Sequence, residues 1–288
     1  MPWNARSKAA VCACLLLAQL SACFVRRRTV VPPGPQQNRP LLTATKDELI
    51  QRIHKVSDPI QSFLLKAEMS SSVGRLFGGE VKDYATVGGA ILFLKPNDIR
   101  VIGQDPVLHT TIFDMASIGN EYRVYIPSKS RFIIGQNDAS SESKNKLENL
   151  RPIAFEAALL IYPPDPDKET TLLENDSDES KAVYILLIVE RGQGELRLAR
   201  NIYFDRYTLD IIRQKTFDAS GNTLSQTRYA DWKDYDGVPF PSTIDVQRPE
   251  DDYEVYLTVD SLKINPPEIT PAKFVLEQPP GTQLQPVK

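Results

Sequence analysis

Thiols and imidazoles are scarce in this chain of 288 residues, which has three cysteines and two histidines. All the cysteines, Cys12, Cys14 and Cys23, lie near the start. The chain beyond them therefore holds no disulfide, thiolate nucleophile or paired-cysteine metal site of its own. His54 sits between Ile53 and Lys55 in a helical stretch, and His109 opens a predicted strand. Both read as solvated or hydrogen-bonded residues, and they form no His-x-x-x-His pair. A Gly-rich phosphate loop, a Gly-x-Ser-x-Gly elbow and the Asp-x-Asp-x-Asp-Gly spacing of a calcium loop are missing too. Gly192-Gln193-Gly194 is short enough for a hairpin turn, while Asp234-Tyr235-Asp236 and Asp251-Asp252 read as solvated turns. These absences favour a protein that is not an enzyme and uses no cofactor or metal.

Long hydrophobic runs are also missing. The apolar stretch from Ala9 to Leu20 spans about 18 Å as a helix, whereas a bilayer crossing needs roughly 20 residues. Arg6 and Lys8 precede it and small residues follow, the order of a secretory signal peptide. There is no basic excess either: the chain has 34 Lys+Arg against 37 Asp+Glu. Loss of a leader carrying Arg6 and Lys8 would leave 32 against 37, so nucleic acid is not an expected partner.

The tetrad Leu20-Ser21-Ala22-Cys23 resembles the bacterial lipobox. The resemblance implies cleavage before Cys23, a thioether to diacylglycerol on its sulfur and acylation, typically with palmitate, of the new amino terminus. Burial is worth about 0.8 kcal/mol per CH₂, so two or three chains hold where one is marginal. Phe24 stands where an aspartate would mark retention at the inner membrane. By that resemblance the expected location is the outer membrane, facing the periplasm. Arg26-Arg27-Arg28 follow, suited to anionic headgroups or simply solvated. Four prolines in the nine residues from Pro32 to Pro40 then make an extended spacer.

The remainder is long enough for one large β-rich domain. Thr45, with Glu48 three residues on, predicts a capped helix carrying Leu49, Ile50, Ile53 and Val56 on one stripe and ending at Pro59. Alternation predicts strands at Tyr122 to Ile126, Leu196 to Phe204 and Tyr253 to Asp260. Further strands are expected at Ser62 to Ser72, Tyr84 to Leu94, Ile99 to Gly103, Thr110 to Met115, Arg131 to Gly135 and Val183 to Glu190, and then at Leu209 to Phe217, Thr223 to Trp232 and Thr243 to Gln247. Leu150 to Ile161, with Pro152 near its start, predicts a second helix. Pro163 to Asp167 and Glu174 to Glu179 read as an acidic surface loop. Asp218 to Gly221 reads as a hairpin turn, and Asp236-Gly237 as a turn before a strand whose Pro239 and Pro241 place it at an edge or just after the turn.

An antiparallel sheet of about ten strands curls, and helices laid across its open side leave a covered pocket. The expected class is therefore α+β, mostly β: a curved antiparallel sheet forming a half-open β-barrel covered by helices. The succession Asn201-Ile202-Tyr203-Phe204-Asp205, Leu209 to Gln214, Phe217 to Gly221, Tyr229 to Lys233, Asp236 to Pro241, Leu257 to Asn265 and Phe274 to Gly281 resembles the LolA/LolB periplasmic lipoprotein-carrier superfamily. The likeness covers most of Lys46 to Gly281 as a pattern of strands and turns. It implies a lipid or the acyl chains of another lipoprotein as ligand, and a role in lipoprotein or lipid trafficking. Neither the arginine that closes the lid in the soluble carriers nor the projecting apolar loop of the outer-membrane receptor is identifiable in the sequence.

The expected organisation is a signal peptide at 1–22, a lipidated N-terminus and tether at 23–44, the β domain at 45–281 and a tail at 282–288. Phe93, Tyr122, Tyr125, Phe204, Phe217, Trp232 and Tyr256 fall on predicted strands, where they either line an apolar pocket or pack the core. The expected partners are a membrane, through the anchor, and a lipidic or acylated ligand, with the protein a monomer or part of an envelope complex. The alternative is a non-enzymatic envelope scaffold that uses the same sheet with a filled interior.

Overall fold

The computed structural model describes residues 39–74, 81–137, 152–178, 181–192 and 194–287. The predicted leader, the lipobox Leu20-Ser21-Ala22-Cys23, the arginine cluster and the tether through Asn38 lie outside the described residues. Helix α1 (Lys46–Ser57) begins as its capping pair requires. The Glu48 amide donates to Thr45 Oγ1 at 3.3 Å, and the Thr45 amide donates to Glu48 Oε2 at 2.7 Å. Leu49 and Ile53, one turn apart, are fully buried. His54 Nδ1 lies 2.9 Å from Asp58 Oδ2 and is thus hydrogen-bonded.

The first meander comprises β1 (Ser62–Val73), β2 (Lys82–Asp83), β3 (Val87–Leu94), β4 (Asp98–Gln104), β5 (Thr111–Ile118), β6 (Glu121–Ile126) and β7 (Arg131–Gln136). Helix α2 (Pro152–Leu159) follows. The second meander comprises β8 (Glu169–Ser177), β9 (Ala182–Arg191), β10 (Leu196–Asp205), β11 (Ile211–Phe217), β12 (Thr223–Tyr235), β13 (Val238–Arg248) and β14 (Tyr253–Ile264). A last strand, β15, spans Gln283–Pro286. Together they make one open, curved sheet in the order β15-β7-β6-β5-β4-β3-β1-β14-β13-β12-β11-β10-β9-β8, with β2 pairing β1 beside that path. The two meanders join at β1 and β14, where Phe63 meets Ile264 and Val73 meets Tyr253.

The sheet is mixed, which corrects the expectation of a purely antiparallel one: β15 runs parallel to β7, Leu284 opposite Phe132. The reason lies in the segment before it. Ile269 and Phe274 pack on Leu92, and Leu276 packs with Ala116 and Phe132. The chain is thereby carried over one face of the first meander to the free edge of β7. Residues read as a tail thus supply an edge strand.

Two local expectations are also corrected. Glu174 to Ser177 belong to β8, the outer strand next to β9, rather than to a loop. Acidic side chains on an edge strand discourage pairing with another chain, and in sequence they imitate a loop. The strand carrying Pro239 and Pro241 begins just after the Asp236-Gly237 turn, one of the two placements expected for it; β13 is interior, but its β14 partners begin only at Thr243. Pro239 and Pro241 lie in the part paired to β12 alone, where a missing N–H costs no second ladder. His109 opens no strand; it stands in the β4–β5 turn at φ 54°.

One large apolar cluster fills the face opposite the C-terminal segment. It combines Phe63 and Leu65 of β1, Ile91 and Phe93 of β3, Leu186 and Ile188 of β9, Phe204 of β10 and Leu257 of β14 with residues from both helices. α1 packs on β13, while α2 reaches β4, β5 and β13.

Candidate functional site

Side chains from the opposite meander hold α2 in place. Tyr229 Oη on β12 donates to the Ala158 carbonyl at 2.9 Å, and Gln214 Nε2 on β11 donates to the Ala157 carbonyl at 3.0 Å. These carbonyls lie in the last turn, which has no intrahelical donors of its own. Tyr162 Oη donates to Glu156 Oε1 at 2.5 Å and stands 3.3 Å from the Pro96 carbonyl. Burial holds the Glu156 carboxyl above the usual carboxylate range despite that hydrogen bond.

Between α2 and the first meander lies a cavity of about 410 Å³. Its walls are Met69, Val87, Phe113, Met115, Val124, Ile133 and Val255, with Phe155 of α2 against them. Ser71, Tyr84, Ser128 and Lys129 also line it, and Ser128 and Lys129 are exposed to solvent. Two glycines lie beneath side chains that line the space. Gly89 and Gly103 face each other across β3 and β4, and Gly103 in turn faces Phe113. A Cβ on Gly103 would stand 2.3 Å from the Phe113 ring, and one on Gly89 would stand 2.3 Å from Met69 Cε and 2.5 Å from the Ile102 carbonyl oxygen. Without these methyl groups, Phe113 and Met69 can lie across the glycine backbones. Pockets of this size, apolar with a few polar groups, suit small hydrophobic ligands.

The β4–β5 turn projects beside this cavity. Val107 is 80% and Leu108 72% exposed, while Asp105 Oδ1 accepts from both of their amides at 2.9 and 2.8 Å. Ile112, just past this turn, also lines the cavity. This turn carries the two most exposed large apolar side chains among the described residues. Its only signal in the sequence is two adjacent apolar residues inside an Asp-Pro turn.

The seven aromatic candidates are dispersed. Phe93 and Phe204 are buried in the main cluster, and Trp232 packs on it while its indole N–H donates to the Ile211 carbonyl at 2.9 Å. Tyr122 is buried beside Gly135, and Tyr125 packs with Phe132 and Leu276 on the face under the C-terminal segment. Phe217 is half-buried at the end of β11, and Tyr256 is 45% exposed on a different groove. The apolar walls of the cavity come instead from methionines, valines, isoleucines and two phenylalanines.

No protein-family model matches the sequence, and no curated protein matches it. Among solved structures, the chain is similar to a LolA superfamily protein from Nitrosomonas europaea, with 12% identity and a TM-score of 0.50 over 81% of this chain and 99% of that one. It is also similar to a DUF1329 family protein from Desulfovibrio piger, with 17% identity and a TM-score of 0.48 over 79% and 95%. A domain described as an outer membrane lipoprotein-sorting protein from Vibrio parahaemolyticus gives 11% and 0.47 over 79% and 94%. The fold is therefore LolA-like.

Proposed function

We propose that this protein is a membrane-tethered, non-enzymatic lipoprotein of the bacterial envelope that binds a hydrophobic ligand, a lipid or the acyl chains of another lipoprotein. The apolar cavity under α2 carries this reading. In it, the curved sheet acts as a half-open barrel, α1 and α2 cover it, and the ligand enters past Lys129 and Tyr84. Enclosing ~300 Å² of acyl surface at about 25 cal/mol per Å² would release ~7 to 8 kcal/mol before ordering costs, so no bond has to be made or broken. The LolA-like fold agrees with such cargo. The lipobox resemblance at Cys23 supplies the anchor, and Phe24 favours the outer membrane, facing the periplasm.

Organic extraction of the purified Cys23→Ala protein followed by mass spectrometry tests the ligand. A stoichiometric lipid supports carriage, whereas an empty extract favours the envelope scaffold. Labelling cells with radioactive palmitate tests the anchor, and an unlabelled chain or a retained leader would overturn it.

A further inference from the structure

On the second meander, one row of side chains crosses five strands in register. Tyr203 of β10 faces Arg213 of β11, Arg213 faces Arg228 of β12, Arg228 faces Asp245 of β13, and Asp245 faces Tyr256 of β14. The row borders a groove of about 610 Å³ that Val183 and Ile212 also line, separate from the cavity under α2. Two guanidinium groups thus stand directly opposite each other on neighbouring strands, an arrangement that is ordinarily destabilising.

The carboxylates nearby do not balance them. Asp245 Oδ2 accepts from Arg228 Nη1 at 2.9 Å and from Gln247 Nε2 at 3.2 Å. Glu254 accepts from Gln247 at 2.8 Å, and Asp176 pairs with Lys181. Arg213 stacks on the Tyr203 ring at 3.7 Å, and among the described residues no carboxylate pairs with it. Its Nε is buried and has no hydrogen-bond acceptor. A donor buried in this way without a partner is costly. Among the residues that line the groove, Arg228 is matched by Asp245 and Lys181 by Asp176, which leaves Arg213 without a carboxylate partner there.

We infer that the groove binds a singly charged oxyanion, a phosphodiester or a carboxylate, held by the guanidinium fork of Arg213 and shared with Arg228. The fork presents parallel N–H donors matched to two oxygens of such a group, and the Tyr203 ring fixes its plane. Val183 and Ile212 accommodate an apolar substituent beside the anion. This site is independent of the cavity proposed to hold acyl chains.

The test follows the Arg213 and Arg228 Nε–H resonances in the ¹⁵N-labelled full chain, in nonionic detergent at constant ionic strength, and the Arg228 signal reads the Arg213 variants. Dimethyl phosphate and acetate are titrated separately. Saturable movement of the resonances with either anion is expected, and the tighter of the two identifies the source. Arg213→Gln is expected to weaken that anion roughly 10- to 100-fold, the equivalent of losing hydrogen bonds to a charged group. Arg213→Lys, which keeps the charge without the fork, should fall between them and serves as the probe if the glutamine variant does not fold. Resonances unmoved by both anions overturn the site, as do variants that bind as tightly as the parent.

Discussion

The hydroxyl of Tyr229, on β12, donates to the carbonyl of Ala158, in the last turn of α2, at 2.9 Å. This bond ties the roof of the cavity to the half of the sheet that does not form most of its walls. Burial pushes the phenol well above its ordinary range, so it remains a donor at any physiological pH. Tyr229→Phe leaves that carbonyl without its partner, and a loss of about 1 to 3 kcal/mol is expected in urea unfolding. Pairing it with Gln214→Ala, which strips the adjacent Ala157 carbonyl, should depart from additivity because both act on one helical turn.

The glycine pair separates stability from cavity volume. Gly89→Ala drives a methyl group against the Ile102 carbonyl oxygen, which is backbone and cannot step aside. A destabilisation of about 1 to 3 kcal/mol is expected for overpacking of this kind. Gly103→Ala meets the Phe113 ring first, a side chain that can swing into the cavity. The expected result is a smaller stability loss with a larger drop in binding, measured by displacement of a fluorescent fatty acid.

Arg100 holds Asp114 through two hydrogen bonds, of 2.9 and 2.6 Å, and donates to the Lys273 carbonyl at 2.7 Å. Both side chains are largely buried. Arg100→Ala strands the carboxylate and releases the C-terminal segment, at an expected cost of about 3 kcal/mol. Arg100→Met with Asp114→Leu should recover much of it, and urea unfolding of the two variants decides.

Burial raises the Asp245 carboxyl to about 6, against the pull of Arg228. The folded protein therefore holds the neutral acid more tightly than the unfolded chain does. The stability contributed is fully present below the unfolded value of 3.8 and is lost as pH rises through about 6. Asp245→Asn is expected to flatten the stability profile in that window. Thermal unfolding at a series of pH values measures it.

Much of the architecture is legible in local chemistry. Thr45 and Glu48 announce α1, and Gly221 and Gly237 adopt the positive φ angles, 84° and 87°, that their turns need. The acidic residues of β8 misled because an edge strand and a loop are protected by the same side chains. Pro239 and Pro241 are compatible with an edge or with a strand start, and β13 takes the second because a strand interior to the sheet can still overhang its neighbour. The cavity could not be read at all: alternation does not say which face is inward, and Met69 and Phe113 of its lining lie across Gly89 and Gly103, which become partners only once β3 and β4 pair. Large aromatics drew attention to strands, but Met69, Val87, Met115, Val124 and Ile133 are the residues that line the cavity beside Phe113 and Phe155.

The seam between the meanders has a kinetic implication. Each meander is stitched from hairpins close in sequence, yet Phe63 must find Ile264 before the two become one sheet. Loop closure of that length is slow, so assembly should be limited by docking of preformed halves rather than by their zippering. A chain interrupted before β14 would leave the β1 edge bare and open to pairing with a neighbour.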